Sequence, residues 1–326
     1  MTRTLQAVVA GTLVMIGIGA STRAFAQEPA PQPAAQAPAP AAAPPAGEAP
    51  AAAGATQAAA NGDSAVFVGA GDIAKCDILA GAVATARLLD KIPGTVFTVG
   101  DHAYEDGTPE QWQKCYGPTW GRHKDRTRPS PGNHDYHTDD AKPYFDYFGE
   151  AAGPDRRGYY SYDLAGWHIV SLNSYIAADR RSPQAQWLKK DLEEHPSDCI
   201  LAYWHIPVFS SGSHGNSPIM REIWKMLYDA GAEIVVNGHD HLYERFAPQT
   251  PDGKADENGI RQFTVGTGGG GVYRFKSKQA NSEVRDNTAY GVIKFTLSPG
   301  RYTWEFVPMT GQPFSDSGSG TCTPRK

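Results

Sequence analysis

Five separate segments of this 326-residue chain stop in the same manner, with a small or aromatic residue giving way at once to oxygen- and nitrogen-bearing side chains. Gly71-Asp72 follows the segment from Ala65 to Ala70, and Gly100-Asp101-His102-Ala103-Tyr104 follows Val96 to Val99. Gly132-Asn133-His134-Asp135 forms the third group, His205 closes Leu201-Ala202-Tyr203-Trp204, and Gly238-His239-Asp240-His241 follows Ile234 to Asn237. In sheets of alternating strands and helices, ligands gather beyond the carboxyl ends of the strands, where loops bring distant residues together. A chain carrying five such ends is therefore constrained to fold so that they meet.

The surrounding pattern agrees. Apolar runs at Ala65–Val68, Val96–Val99, Ile200–Trp204, Ile234–Val236 and Phe263–Val265 read as buried strands. Between several of them, Ile78–Leu89, Gln184–Glu194 and Ile219–Asp229 carry helical patterns long enough for crossovers, which makes the fold class α/β. Segments Tyr159–Leu164, Trp167–Leu172, Gly291–Leu297 and Tyr302–Val307 tend to alternate around turns such as Ala165-Gly166, and these predict antiparallel hairpins on the same core.

Taken singly, each group has an ordinary reading. A Gly-Asp after a strand is commonly a turn or a helix cap, Asn133 alone a turn residue, and His205 or His239 alone a satisfied histidine. Five in this order at expected strand ends reverse that reading. Hard oxygens mixed with imidazoles suit iron, zinc or manganese, and the glycines preceding them let the backbone turn sharply beside a metal.

On these motifs the chain resembles the metallophosphoesterases, and within them the purple acid phosphatases, over most of Gly69 to Arg245. A strand-end Asp, then GDxxY, GNH with a following acid, a strand-end His and GHxH are all present. General metallophosphoesterases begin with DxH, whereas here Asp72 is followed by Ile73 and Ala74; Tyr104 fills that gap in the purple acid phosphatase pattern. The resemblance implies the calcineurin-like αββα sandwich, two mixed β-sheets flanked by helices. It also implies two metal ions: a ferric ion held by Asp72, Asp101, Tyr104 and His241, and a ferrous, zinc or manganese ion held by Asp101, Asn133, His205 and His239. His134 matches the family histidine that contacts the phosphate and the leaving group. His214, nine residues after His205, falls where a second substrate histidine often stands, with a solvated loop residue as the equal alternative. Tyr243-Glu244-Arg245 reads as structural support. The activity implied is hydrolysis of small phosphate monoesters by metal-hydroxide attack on phosphorus, the alternatives being a phosphodiesterase or nucleotidase on the same core, or a catalytically silent surface-displayed binding module.

The chain termini and charge bear on where such an enzyme works. Residues 1–26 combine Arg3, an apolar run from Leu5 to Ala20 and small residues at Ala24 and Ala26, the pattern of a secretory signal. Residues 27–62 are almost entirely Ala and Pro, a spacer that cannot bury a core, and 63–326 reads as one domain. An exported protein is expected, periplasmic or extracellular, with no stable membrane insertion once the signal is removed. Loss of Arg3 and Arg23 leaves 28 basic against 35 acidic side chains, a net of −7, which argues against nucleic acid as a partner. Four cysteines in an oxidising compartment suggest two disulfides. Three pairings are open; we favour Cys76–Cys115 and Cys199–Cys322, because the second would tie down a Gly/Ser-rich tail.

Two other chemistries are excluded. The glycines between Gly266 and Gly271 lack the Lys-Ser or Lys-Thr of a phosphate-cradling loop and read as a flexible loop, and no G-x-S-x-G elbow is present. Substrate choice is assigned to the loops Tyr136–Pro143 and Ser210–Pro218.

Overall fold

A computed structural model describes residues 64–322. The expected leader at 1–26 and spacer at 27–62 lie outside them. In chain order the strands are β1 (Ala65–Ala70), β2 (Ala74–Lys75), β3 (Thr95–Val99), β4 (Ala103–Tyr104), β5 (Thr127–Ser130), β6 (Tyr160–Leu164), β7 (Trp167–Ser171), β8 (Ile200–Tyr203), β9 (Ile234–Asn237), β10 (Tyr243–Phe246), β11 (Arg261–Val265), β12 (Ser282–Asp286), β13 (Gly291–Ser298), β14 (Arg301–Pro308) and β15 (Ser317–Thr321). The α-helices are α1 (Ala80–Leu89), α2 (Pro109–Gln111), α3 (Lys142–Phe148), α4 (Pro183–Glu194) and α5 (Arg221–Asp229).

Two mixed sheets stack face to face. The first has the order β15-β14-β13-β1-β3-β5 and the second β12-β10-β11-β9-β8-β7-β6. Strands β1, β3 and β5 are parallel, as are β7, β8, β9 and β11. Three apolar layers account for the arrangement. Phe67, Phe97, Ile293 and Phe295 of the first sheet meet Leu201, Tyr203, Val236 and Phe263 of the second between the sheets. The opposite face of the first sheet, with Val68, Val96 and Val292, packs on Ala82, Ala86 and Leu89 of α1 and on Tyr144, Phe145 and Phe148 of α3. On the outer side of the second sheet, Val170, Ala202 and Val235 are covered by Leu188 of α4 and by Ile223, Trp224 and Leu227 of α5. Strands buried on both faces must be apolar throughout rather than alternating, and this is why their runs were legible. The result is the expected αββα sandwich.

Local chemistry sets the element ends. Ser182 caps α4, its hydroxyl accepting from the Ala185 amide at 3.2 Å with Pro183 in the first turn. The β6–β7 turn uses Ala165 and Gly166, both at positive φ (49° and 79°). Cys76 pairs with Cys115 and Cys199 with Cys322, as favoured. The second bond anchors β15, which adds to the sheet edge through β14.

Six strands and two helices lie outside the sequence reading. Strand β5 contains Pro129 and has no apolar run, but it is an edge strand pairing only with β3, where a missing amide is tolerated. Strands β2, β4, β10, β12 and β15 and helices α2 and α3 are the others, most of them only two to five residues long. The glycine-rich run is the clear correction. It follows the carboxyl end of β11, which is parallel to β9, and instead of a flexible loop it is a packed wall with Gly266 to Gly270 buried. The Gly268 amide donates to the Gly71 carbonyl at 2.9 Å and the Gly270 amide to that of Asp72 at 2.7 Å.

Candidate metal centre

All the parallel strands that carry the predicted groups end on one side, and the donor atoms converge there. Asp72 follows β1, Asp101 follows β3, Asn133 lies three residues beyond β5, His205 two beyond β8, and His239 and His241 follow β9. Tyr104 arrives through the two-residue β4, which pairs in parallel with β2 so that Lys75 is opposite Tyr104 and Ala74 opposite Ala103. The small side chain at position 74, where the general pattern has histidine, thus sits next to the residue whose phenol enters the site. Holding these loops costs backbone energy. Asp72, Asp101 and His239 have positive φ (61°, 53° and 71°), a region that costs a non-glycine residue about 1–3 kcal/mol and that persists only where the surroundings enforce it.

One set of donors surrounds the Tyr104 hydroxyl. Its oxygen is 3.0 Å from Asp72 Oδ1, 3.2 Å from Asp101 Oδ2 and 3.0 Å from His241 Nε2, with all four side chains buried. A single phenolic proton serves three lone-pair neighbours. A second set surrounds His205 Nε2, which lies 3.1 Å from Asp101 Oδ2, 3.0 Å from Asn133 Oδ1 and 3.2 Å from His239 Nδ1. His205 Nδ1 donates to the Val99 carbonyl at 2.6 Å, so its Nε2 is the nitrogen left to face these acceptors. The two sets share one atom, Asp101 Oδ2. The other oxygen of Asp101 is pinned by the His134 amide at 2.8 Å, and Gly132 is required beside it, since a Cβ there would come within 2.2 Å.

The electrostatics follow from burial with too few protons. Burial and the neighbouring carboxylates of Asp101 and Asp72 push the Tyr104 phenol well above its ordinary range. Burial alone would raise Asp101, but His205 beside it wins and holds the carboxyl well below the usual value. Burial lowers His205, yet Asp101 carries it up to about 9. Burial and then His205 push His239 down to about 3, keeping a lone pair on that ring. With protein groups alone, the cluster must borrow protons to coexist; a cation does the same work and releases them, as buried oxygen and imidazole donors require. The residues present therefore fit a pair of metal ions. A different group, His168, Asp191 and His195, also draws together. There His168 donates from both nitrogens, to Asp163 Oδ1 at 3.0 Å and Asp191 Oδ2 at 2.9 Å, so its protons balance as an imidazolium.

The predicted substrate histidines flank the cluster. His134 Nδ1 donates to the Glu105 carbonyl at 2.5 Å, which leaves Nε2 3.9 Å from Asp101 Oδ2. His214 is brought in as well: its ring stacks on His239 with centroids 4.1 Å apart, and its Nδ1 is 3.0 Å from Asp240 Oδ1, a bond that raises its pKa. Supporting residues complete the frame. Asp135 accepts from the Gly132 amide (2.8 Å), the Asp101 amide (3.1 Å) and His102 Nδ1 (2.9 Å), tying two ligand loops together. Glu244 accepts from the Ser211 and Ser282 hydroxyls, both at 2.5 Å, which is the structural role read for that stretch.

The model of the calcineurin-like phosphoesterase family matches residues 67–243, a span that contains every one of these donors. The chain belongs to that family. Among curated relatives, purple acid phosphatase 21 of Arabidopsis thaliana is 32% identical over 251 residues, covering 68% of this chain and 55% of that protein. Purple acid phosphatase 18 of the same plant is 36% identical over 126 residues, covering 37% and 29%. The matched part thus spans about half or less of these relatives. A solved purple acid phosphatase from yellow lupin (Lupinus luteus) seeds superposes with a TM-score of 0.69 at 18% identity, over 79% of this chain and 54% of the other, and shares the fold. Within its family this phosphoesterase is purple acid phosphatase-like. What its motifs did not announce is the sixth strand end: the glycine wall after β11 and Tyr273 beyond it, whose ring stacks on His241 with centroids 3.9 Å apart. Position at the end of an apolar strand was the one available signal.

Proposed function

We propose that this phosphoesterase is an exported dinuclear-metal phosphatase that hydrolyses small phosphate monoesters. The observation that carries the reading is Asp101 Oδ2, a single carboxylate oxygen lying 3.2 Å from Tyr104 Oη and 3.1 Å from His205 Nε2, at the junction of two donor sets. Asp72, Tyr104 and His241 would hold one ion, Asn133, His205 and His239 the other, with Asp101 between them. A phenolate is a hard ligand suited to a ferric ion, and the Asn/His set suits ferrous, zinc or manganese ions. Such a pair supplies Lewis acidity toward phosphoryl oxygens and lowers the pKa of bound water.

The chain's own groups do the rest. His134, its Nδ1 committed to Glu105 and its side chain partly exposed, would give a proton from Nε2 to the departing oxygen. His214, anchored by Asp240 and stacked on His239, would hold a phosphoryl oxygen. The two disulfides suit an oxidising compartment, and among the described residues no helix is long and apolar enough to cross a membrane.

The test is metal analysis of the purified protein together with phosphate release from a monoester and a diester assayed side by side. Two ions per chain and faster monoester turnover are expected, with both lost in Asp101→Ala. A metal-free protein without activity would leave the silent binding module standing, and faster diester turnover would overturn the substrate class.

A further inference from the structure

The two candidate ligand imidazoles that present Nε2 to the cluster, His205 and His241, are oriented in different ways. His205 is fixed by a hydrogen bond from its other nitrogen to the Val99 carbonyl at 2.6 Å. Histidine ligands ordinarily have such a partner, because it sets both the tautomer and the ring plane. The Nδ1 of His241 is buried and meets no hydrogen-bond partner among the described residues. It looks toward the glycine wall, where even a Cβ on Gly271 would be 3.6 Å away. Against the flat face of His241 lies the ring of Tyr273, with centroids 3.9 Å apart and planes inclined by 9°. Tyr104 meets the imidazole at a steep 68° and 5.7 Å, so the flat contact against the face of His241 comes from Tyr273.

Tyr273 is itself held in place. Its amide donates to the His241 carbonyl at 2.9 Å, and its carbonyl accepts from Asn287 Nδ2 at 2.8 Å. The backbone of the tyrosine is thus bonded to the residue whose side chain it covers. The Asn287 contact keeps it there, and the ring of His214 meets it edge-on with centroids 5.4 Å apart.

We propose that Tyr273 is a positioning residue that holds His241 for the metal centre through the face of its ring, in place of the hydrogen bond that His205 has and His241 lacks. The role rests on the dinuclear reading above. Without the stack, the imidazole turns about its Cβ–Cγ bond and its Nε2 lone pair swings away from Tyr104 Oη and Asp72 Oδ1, now 3.0 and 3.2 Å distant. The contact area lies in the ring, so the phenolic oxygen is dispensable.

Wild type, Tyr273→Phe, Tyr273→Leu and Tyr273→Met are stripped of metal and titrated with zinc against a chromophoric chelator, and each is also loaded with iron for its visible spectrum. Phe should match wild type in both. Leu and Met should weaken one zinc site by about 10-fold or more while the other stays within about 2-fold, and should shift the iron absorption band. Met keeps bulk without a ring face and serves if Leu does not fold, as judged by its thermal melt. Leu and Met binding as wild type does would overturn the proposal, as would Phe falling as far as Leu, since the hydroxyl would then carry the effect. A wild-type chain that takes up no zinc overturns the dinuclear reading together with this role, whereas two tight sites in all four proteins overturn only the role of Tyr273.

Discussion

Adding one methyl group at Gly266 tests whether the glycine wall shapes the centre. Gly266 has an ordinary φ, so alanine pays no backbone strain and the effect comes from space alone. The new Cβ would lie 2.2 Å from the Asp240 carbonyl oxygen, 2.8 Å from its carbon and 2.9 Å from Asp72 Oδ2, where approaches under 3.0 Å are essentially never seen. Relief needs at least 0.8 Å of movement, the difference between 3.0 and 2.2 Å. Asp240 stands between His239 and His241 and its side chain anchors His214, so the shift is passed to two candidate ligands and a candidate substrate histidine. A misplacement of about 1 Å costs on the order of 100-fold in rate, and overpacking destabilises by about 1–3 kcal/mol. Gly266→Ala should therefore lose roughly 100-fold in kcat/KM on p-nitrophenyl phosphate and bind metal less tightly, while still melting cooperatively. Gly300→Ala is the control: nothing lies within 4 Å of its Cβ, and its φ of 74° imposes strain alone, so stability falls while kcat/KM holds. A Gly266→Ala enzyme within about 3-fold of wild type, fully metallated, would refute the wall as a shaping element.

Other outcomes follow from the same geometry. His134→Ala should lose about 100-fold more rate on alkyl than on nitrophenyl phosphates, because only the alkoxide needs a proton as it leaves; equal losses in the two series would count against the acid role. The Cys199–Cys322 bond closes a loop of 123 residues, and a chain-entropy estimate assigns such a closure about 4–5 kcal/mol. Cys199→Ser should lower Tm substantially under non-reducing conditions and leave β15 exchanging amide protons quickly; an unchanged melt would show that the strand pairing alone suffices. His168 has its pKa raised, desolvation being outweighed by Asp191 and Asp163, so its stabilisation is complete below its unfolded value near 6.5 and is lost as pH climbs through the folded value. Asp191 is lowered, chiefly by His168 once burial is overcome, and contributes above its unfolded value near 3.9. Thermal melts should thus show a plateau between roughly pH 4 and 6.5 with an alkaline decline that His168→Gln flattens; the same alkaline slope in the variant would remove His168 as its source.

Legibility in the sequence tracked burial. Strands β1, β3, β8, β9 and β11 are covered on both faces and announced themselves as apolar runs, as did the helix faces of α4 and α5. Strand β5 did not, because an edge position makes its identity depend on β3 alone, and β15 did not, because its Ser and Gly residues are placed by β14 and by the Cys199–Cys322 bond. The candidate ligands were readable for a related reason: Asp72, Asp101, His205 and His239 sit at strand ends, where sequence position and spatial position coincide. Tyr273 and the glycine wall were not, since what they touch is set by β11 lying parallel to β9.

Residue order alone determined which side chains are candidates for the chemistry, the apolar runs and helical patterns of an α/β fold, and the cysteines available for pairing. Tertiary structure decided that Asp101 Oδ2 would be the atom common to both donor sets, that His241 would lean on a ring instead of a carbonyl, and that a run of glycines would be a wall. The reason is physical. Periodicity and turn chemistry act between neighbours in the chain, whereas a shared oxygen, a stacked imidazole and a forbidden Cβ are distances between segments that only the packed sheets bring together.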